Sequence, residues 1–111
     1  PHAGRQERRL RWKFVSATIT YVDVQLWLID VILVDTTAGS VTINLPLAKE
    51  MSGHLVHVKK LIAANTVTID PNGSELIDGA ATFAFTTANQ TVSIAAGPAT
   101  AAPFTYSWKI L

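Results

Sequence analysis

The apolar positions of this chain fall into short runs, and the clearest pair flanks a polar centre between residues 31 and 46. Val31 to Val34 is continuously aliphatic and mostly β-branched, the pattern of a strand covered on both faces. Val41, Ile43 and Leu45 then alternate with Ser40, Thr42 and Asn44, which predicts a strand with one buried face. Between the runs, Asp35, Thr36 and Thr37 have short side chains that bond to nearby backbone, and Gly39 tolerates positive φ. The stretch therefore predicts a β-hairpin, ended by Pro46, which has no N–H to give to a ladder.

The same alternation places the other strands. Val15, Ala17, Ile19 and Tyr21 share one face of a first strand that begins at Arg11, with Phe14, Ser16, Thr18 and Thr20 on the other. Val22 to Ile29 is too apolar for a one-sided strand; a helix is one alternative, which β-branched Val22, Val24 and Ile29 disfavour. Leu26, Trp27, Leu28 and Ile29 would be costly to expose, so a subunit interface is expected there. A polar connection from Leu47 to Gly53, turning at Ser52-Gly53, leads to strands over His54 to Leu61 and around Val67 and Ile69. Asp70-Pro71-Asn72-Gly73 is a strong turn signal, since Pro71 fixes φ at about −65° and Asn72 and Gly73 tolerate left-handed backbone. A second turn follows at Asp78-Gly79. Phe83 and Phe85 then share a face, as do Val92 and Ile94 beyond the polar turn Thr87-Ala88-Asn89. After a loop from Gly97 to Pro103, the last strand puts Phe104, Tyr106, Trp108 and Ile110 on one side. The expected fold is all-β, an antiparallel β-sandwich or barrel of about eight short strands. It occupies residues 11–111 as a single domain, with an extended basic arm over residues 1–10.

Length agrees, because 111 residues bury one core and not two. Charge changes the picture more. Only 15% of the residues are charged, which together with abundant Thr, Ala, Val and Ile favours strands and implies a partner over part of the surface. The net charge of +1 hides a division: the first thirteen residues carry five basic side chains and one acidic, the remainder four and seven. A basic arm on an acidic body is suited to docking, with Arg5, Arg8, Arg9, Arg11 and Lys13 as attachment residues and Trp12 as an aromatic anchor. The same arm suits phosphates, although nucleic acid is the minor reading. The absence of cysteine excludes disulfides and thiolate metal sites. Asp23, Gln25 and Asp30 break up Tyr21 to Val34, so no run reaches the roughly 20 apolar residues of a membrane helix and no membrane partner is expected. The chain opens on Pro rather than Met, which reads as a processed product or the ordered part of something longer.

The run ILVDTTAG followed by SVTINLP, and NTVTIDPNGSELIDG over residues 65–79, resemble a module found in bacteriophage tail fibres, tailspikes and head fibres. The resemblance extends from about Val31 to Leu111, taking in Lys59-Lys60 before Asn65 and the ending Trp108-Lys109-Ile110-Leu111. It leaves the first thirty residues outside. It implies a β-rich structural domain in a trimeric appendage of the phage particle, in contact with other virion proteins. It brings no catalytic residues, and its Gly39, Asp70, Pro71, Asn72, Gly73, Asp78 and Gly79 are turn formers.

Candidate chemistry is sparse. His54 and His57 invite a metal reading, but their spacing sends them to opposite faces of a strand and no third ligand accompanies them. Asp70 to Glu75 gathers oxygen ligands without the glycine position or distal Glu of an EF-hand, which favours a turn. Asp70, Glu75 and Asp78 are of the type that forms glycosidase pairs, yet they sit in or beside turns, where carboxylates serve the backbone. No nucleophile elbow, phosphate loop or dinucleotide fingerprint is present. No catalytic residue, metal or cofactor is therefore expected. Trp12, Tyr21, Trp27, Tyr106 and Trp108 can stack on sugar rings, so a receptor module for host surface glycan is the alternative function. Tyr106 and Trp108, however, share the periodicity of Phe104 and Ile110, which favours packing. The leading expectation is a structural component of a tailed-phage virion that works by homotrimeric assembly and attachment to a larger particle.

Overall fold

The computed structural model describes residues 9–100 and 105–111. These contain strands β1 (Trp12–Val15), β2 (Ile19–Thr20), β3 (Val31–Val34), β4 (Val41–Asn44), β5 (Leu55–Lys60), β6 (Val67–Asp70), β7 (Phe83–Phe85), β8 (Thr91–Pro98) and β9 (Tyr106–Ile110). A single helical turn, α1 (Asp23–Leu26), and a 3₁₀ turn at Ala48–Met51 interrupt them. The all-β expectation holds, and the strands divide between two sheets, β1-β3-β5-β8-β9 and β2-β4-β6-β7.

The expected hairpin does not form, because β3 and β4 lie in different sheets. From β1 to β6 the chain alternates between the sheets, and each strand lies parallel to the one a full circuit earlier. This is the winding of a β-solenoid, in which each circuit buries its apolar face only by stacking on the next. Only the later strands return antiparallel, β7 on β6, β8 on β5 and β9 on β8, so the sheets are mixed and not antiparallel throughout.

The polar residues read as a hairpin turn instead stack one circuit on another. The Asn65 side-chain amide donates to the Thr36 carbonyl at 2.8 Å, the Thr36 hydroxyl donates to the Ala64 carbonyl, and the Thr66 N–H donates to the Ser40 hydroxyl at 3.1 Å. Asn65 supplies the left-handed residue of this corner with φ 64°, whereas Gly39 stays outside that region. Asp35 accepts from the Thr37 N–H at 2.9 Å and from its hydroxyl, and these bonds to the charged form hold its carboxyl below the usual range.

Two further corners depart from the sequence pattern. The first strand breaks at Ser16–Thr18, where the chain crosses sheets, and the Thr18 hydroxyl accepts the Thr42 N–H at 3.0 Å. Val22 to Ile29 turns through α1, with the Gln25 side chain accepting the Val22 N–H at 3.1 Å. A helical turn wins over β propensity here because it swings Leu26 and Ile29 under the sheets. The proposed interface quartet therefore splits: Leu26 and Ile29 belong to this chain's own core, while Trp27 and Leu28 are 40% and 65% exposed.

One apolar cluster joins both sheets, with Ile32, Val34, Val58, Ile94 and Trp108 from the first meeting Val41, Ile43, Val67 and Ile69 from the second. Each such buried side chain contributes about 1.5–3 kcal/mol. Trp108 is fully buried with Tyr106 and Ile110 packed beside it, as the alternation predicts; Phe104 lies outside the described residues. Lys60 is the exception on an inward row. Its stem is buried, and its ammonium donates to the Ile62 carbonyl and, at 3.1 Å, to the Ala64 carbonyl. The turn expected at Asp70 to Gly73 falls two residues later: Asp70 still belongs to β6, and the Glu75 N–H donates to the Asn72 carbonyl at 3.0 Å with Gly73 between them at φ 55°; the second turn has Asp78 at 47° and Gly79 at 81°.

Candidate functional site

Parallel winding brings together the residues that lead into the three parallel strands of the larger sheet: Arg11 before β1 and Asp30 before β3 lie side by side, and His54 before β5 sits two residues off that register. Arg11 grips the buried Asp30 carboxylate with its side chain, Nε to Oδ2 at 3.0 Å and Nη2 to Oδ1 at 3.1 Å, and adds its own backbone N–H at 2.8 Å. The bond to Asp30 raises the pKa of the Arg11 guanidinium, and it gives the buried carboxylate the countercharge that burial requires. His54 is buried with Nε2 2.9 Å from the Ile29 carbonyl; a carbonyl only accepts, so Nε2 carries the proton. The Trp27 ring lies 4.6 Å from the His54 ring and its indole N–H donates to the Glu50 carbonyl at 2.9 Å.

These groups border a groove of about 930 Å³ that continues past Arg9 and Leu10 to Leu55 and His57 on the outer face of the sheet. His57 is held through Nδ1, 2.7 Å from the hydroxyl of Ser93, its cross-strand neighbour. Cations, imidazoles and a partly exposed indole form a set that holds a ligand by charge and stacking. Among the described residues no group of three or more His, Cys, Asp or Glu is placed to hold a metal ion. Two of the three carboxylates considered for catalysis serve the backbone. Glu75 accepts the Ala48 N–H at 3.0 Å and caps the 3₁₀ turn, and Asp78 accepts the Ile110 N–H at 3.2 Å.

The attachment residues are only partly brought together. Arg5 and Arg8 lie outside the described residues. Arg9, Trp12 and Lys13 are exposed, while Arg11 is committed to Asp30. β1 is an edge strand, and both Trp12 and Phe14 stand 59% exposed on its outer side. Phe14 was legible only as part of a strand face and Asp30 only as an interruption of an apolar run, whereas His54 was weighed with His57 as a metal ligand and not as a groove residue. A second apolar surface forms around α1 and the 3₁₀ turn, where Val22, Val24, Leu28 and Leu47 are exposed. Comparison with protein-family models, curated proteins and solved structures returned no match.

Proposed function

We propose that this chain is a structural module of a tailed-phage virion, part of a fibre, spike or capsid-attached fibre, that assembles as a homotrimer and attaches through its basic N-terminal end. The observation that carries this reading is strand β1, an edge unpaired among the described residues that bears the exposed Trp12 and Phe14 beside Arg9 and Lys13. A bare edge with exposed aromatics is a liability in a free monomer and is suited to a partner. The sequence resemblance supplies the setting. Purified particles probed for the chain test it: the full chain incorporates, and deletion of residues 1–10 abolishes incorporation while the circular dichroism spectrum is kept. Incorporation that survives the deletion contradicts the attachment role.

The groove favours a second reading, a carbohydrate-binding receptor module, because Trp27 offers a ring face beside Arg9 and His57. Host-cell binding by the isolated chain that falls on Trp27→Ala would put this reading first, and no binding by the isolated chain would dismiss it.

A further inference from the structure

A threefold ring is built from heterologous contacts, so each subunit must present two different patches that fit one another. Most of the exposed large apolar side chains fall into two groups of opposite charge. The first is Leu10, Trp12 and Phe14, interleaved with Arg9, Arg11 and Lys13 along the edge strand. The second is Val22, Val24, Leu28 and Leu47 at the corner where the chain passes from the smaller sheet to the larger, beside Asp23 and Glu50 with Lys49 as the basic neighbour outside the cleft. This corner holds a cleft of about 450 Å³ whose lining contains those two carboxylates and no lysine or arginine.

We infer that in the trimer the basic aromatic edge β1 of one subunit seats on the acidic corner around α1 of the next, an inference that rests on the homotrimeric reading above. A second copy is the occupant because its charge is complementary. β1 against its own symmetry mate would bring Arg9 and Lys13 toward like charges, and the corner against itself would do the same for Asp23 and Glu50; such like-charge contacts are unfavourable. Unlike patches remove both penalties and cover both apolar groups at once. Trp12 or Phe14 supplies the aromatic side chain for the cleft, with Lys13 on the same strand facing the carboxylates of the neighbour.

Lys13 and Glu50 are both exposed, and neither side chain has a hydrogen bond or ion pair among the described residues, so charge reversal leaves each subunit's own contacts intact. The test is sedimentation of the full chain at micromolar concentration for the wild type, Lys13→Glu, Glu50→Lys and the double variant. Each single reversal weakens assembly at least about tenfold, and the double variant recovers the trimer. In an equimolar mixture of the two single variants every contact between unlike chains pairs opposite charges while a closed ring of three keeps one like-charge contact, so the mixture assembles more strongly than either single variant and less strongly than the double variant. A trimer indifferent to both reversals, or a double variant no better than the singles, overturns the inference while leaving the trimeric reading in place. A monomeric wild type removes the trimeric reading itself.

Discussion

Replacing Lys60 by Met isolates the work of one buried ammonium, because Met retains the apolar stem in the core and deletes only the charged donor. In the wild-type protein that donor serves two loop carbonyls, those of Ile62 and Ala64. The Ala64 carbonyl keeps a second donor in the Thr36 hydroxyl, whereas the substitution removes the ammonium from the Ile62 carbonyl. A hydrogen bond from a charged donor contributes about 1.5–3 kcal/mol, and removing the cost of burying the ammonium offsets part of the loss. The expected net destabilisation is about 2 kcal/mol, which in a domain of this size lowers Tm by roughly 8–16 °C. Urea denaturation at fixed protein concentration measures it, with an unchanged slope showing that the same surface unfolds. Thr36→Val shares the Ala64 carbonyl, so the two substitutions should couple by about 0.5–3 kcal/mol in a double-mutant cycle. Unchanged stability in Lys60→Met, or effects that add within about 0.5 kcal/mol, would refute the idea that this side chain ties the corner to the core.

Two smaller predictions follow from backbone and burial. Gly73→Val should cost more than about 1 kcal/mol by thermal denaturation; no atom lies within 4 Å of the added Cβ, so the cost is backbone strain at φ 55° alone, and an unchanged Tm would contradict the turn. Tyr21→Phe should be neutral or stabilising by about 1 kcal/mol, because the Tyr21 hydroxyl is buried without a hydrogen-bond partner. Burial raises the pKa of that phenol above its ordinary value of about 10, so the folded state holds the proton more tightly. The resulting stability is present below that pH and lost as pH rises through the raised value; the Phe variant should lack this alkaline loss, and an unchanged alkaline limb would show that Tyr21 is not its source.

Strand positions were legible because side chains on a strand alternate faces whatever its partners are. Val41, Ile43, Val67 and Ile69 all point inward as their spacing predicts. Partners were not legible, since the same one-sided pattern serves an antiparallel hairpin and a parallel circuit. Ile19, Ile43 and Ile69 do line up across three circuits, but Trp12, Val31 and His57 in the other sheet are unevenly spaced, and this irregularity hid the winding. It arises because α1 fills the corner before β3 while the 3₁₀ turn fills the one before β5. The meeting of Arg11, Asp30 and His54 at one groove could not be read for the same reason, as it exists only once the circuits are superposed. The exposure of Trp12 agrees with its charged neighbours, whereas Leu26 and Ile29 looked like interface residues because β-branched Val22, Val24 and Ile29 weighed against the helical turn that buries them.

The most direct test of the central claim is the molar mass of the wild-type chain in solution, measured by sedimentation equilibrium over a range of micromolar concentrations. A mass three times that of the 12.0 kDa chain is the predicted result. A well-folded species of 12.0 kDa across that range would contradict it, because Trp12, Phe14 and the β1 edge, unpaired among the described residues, would then have no second copy to cover them.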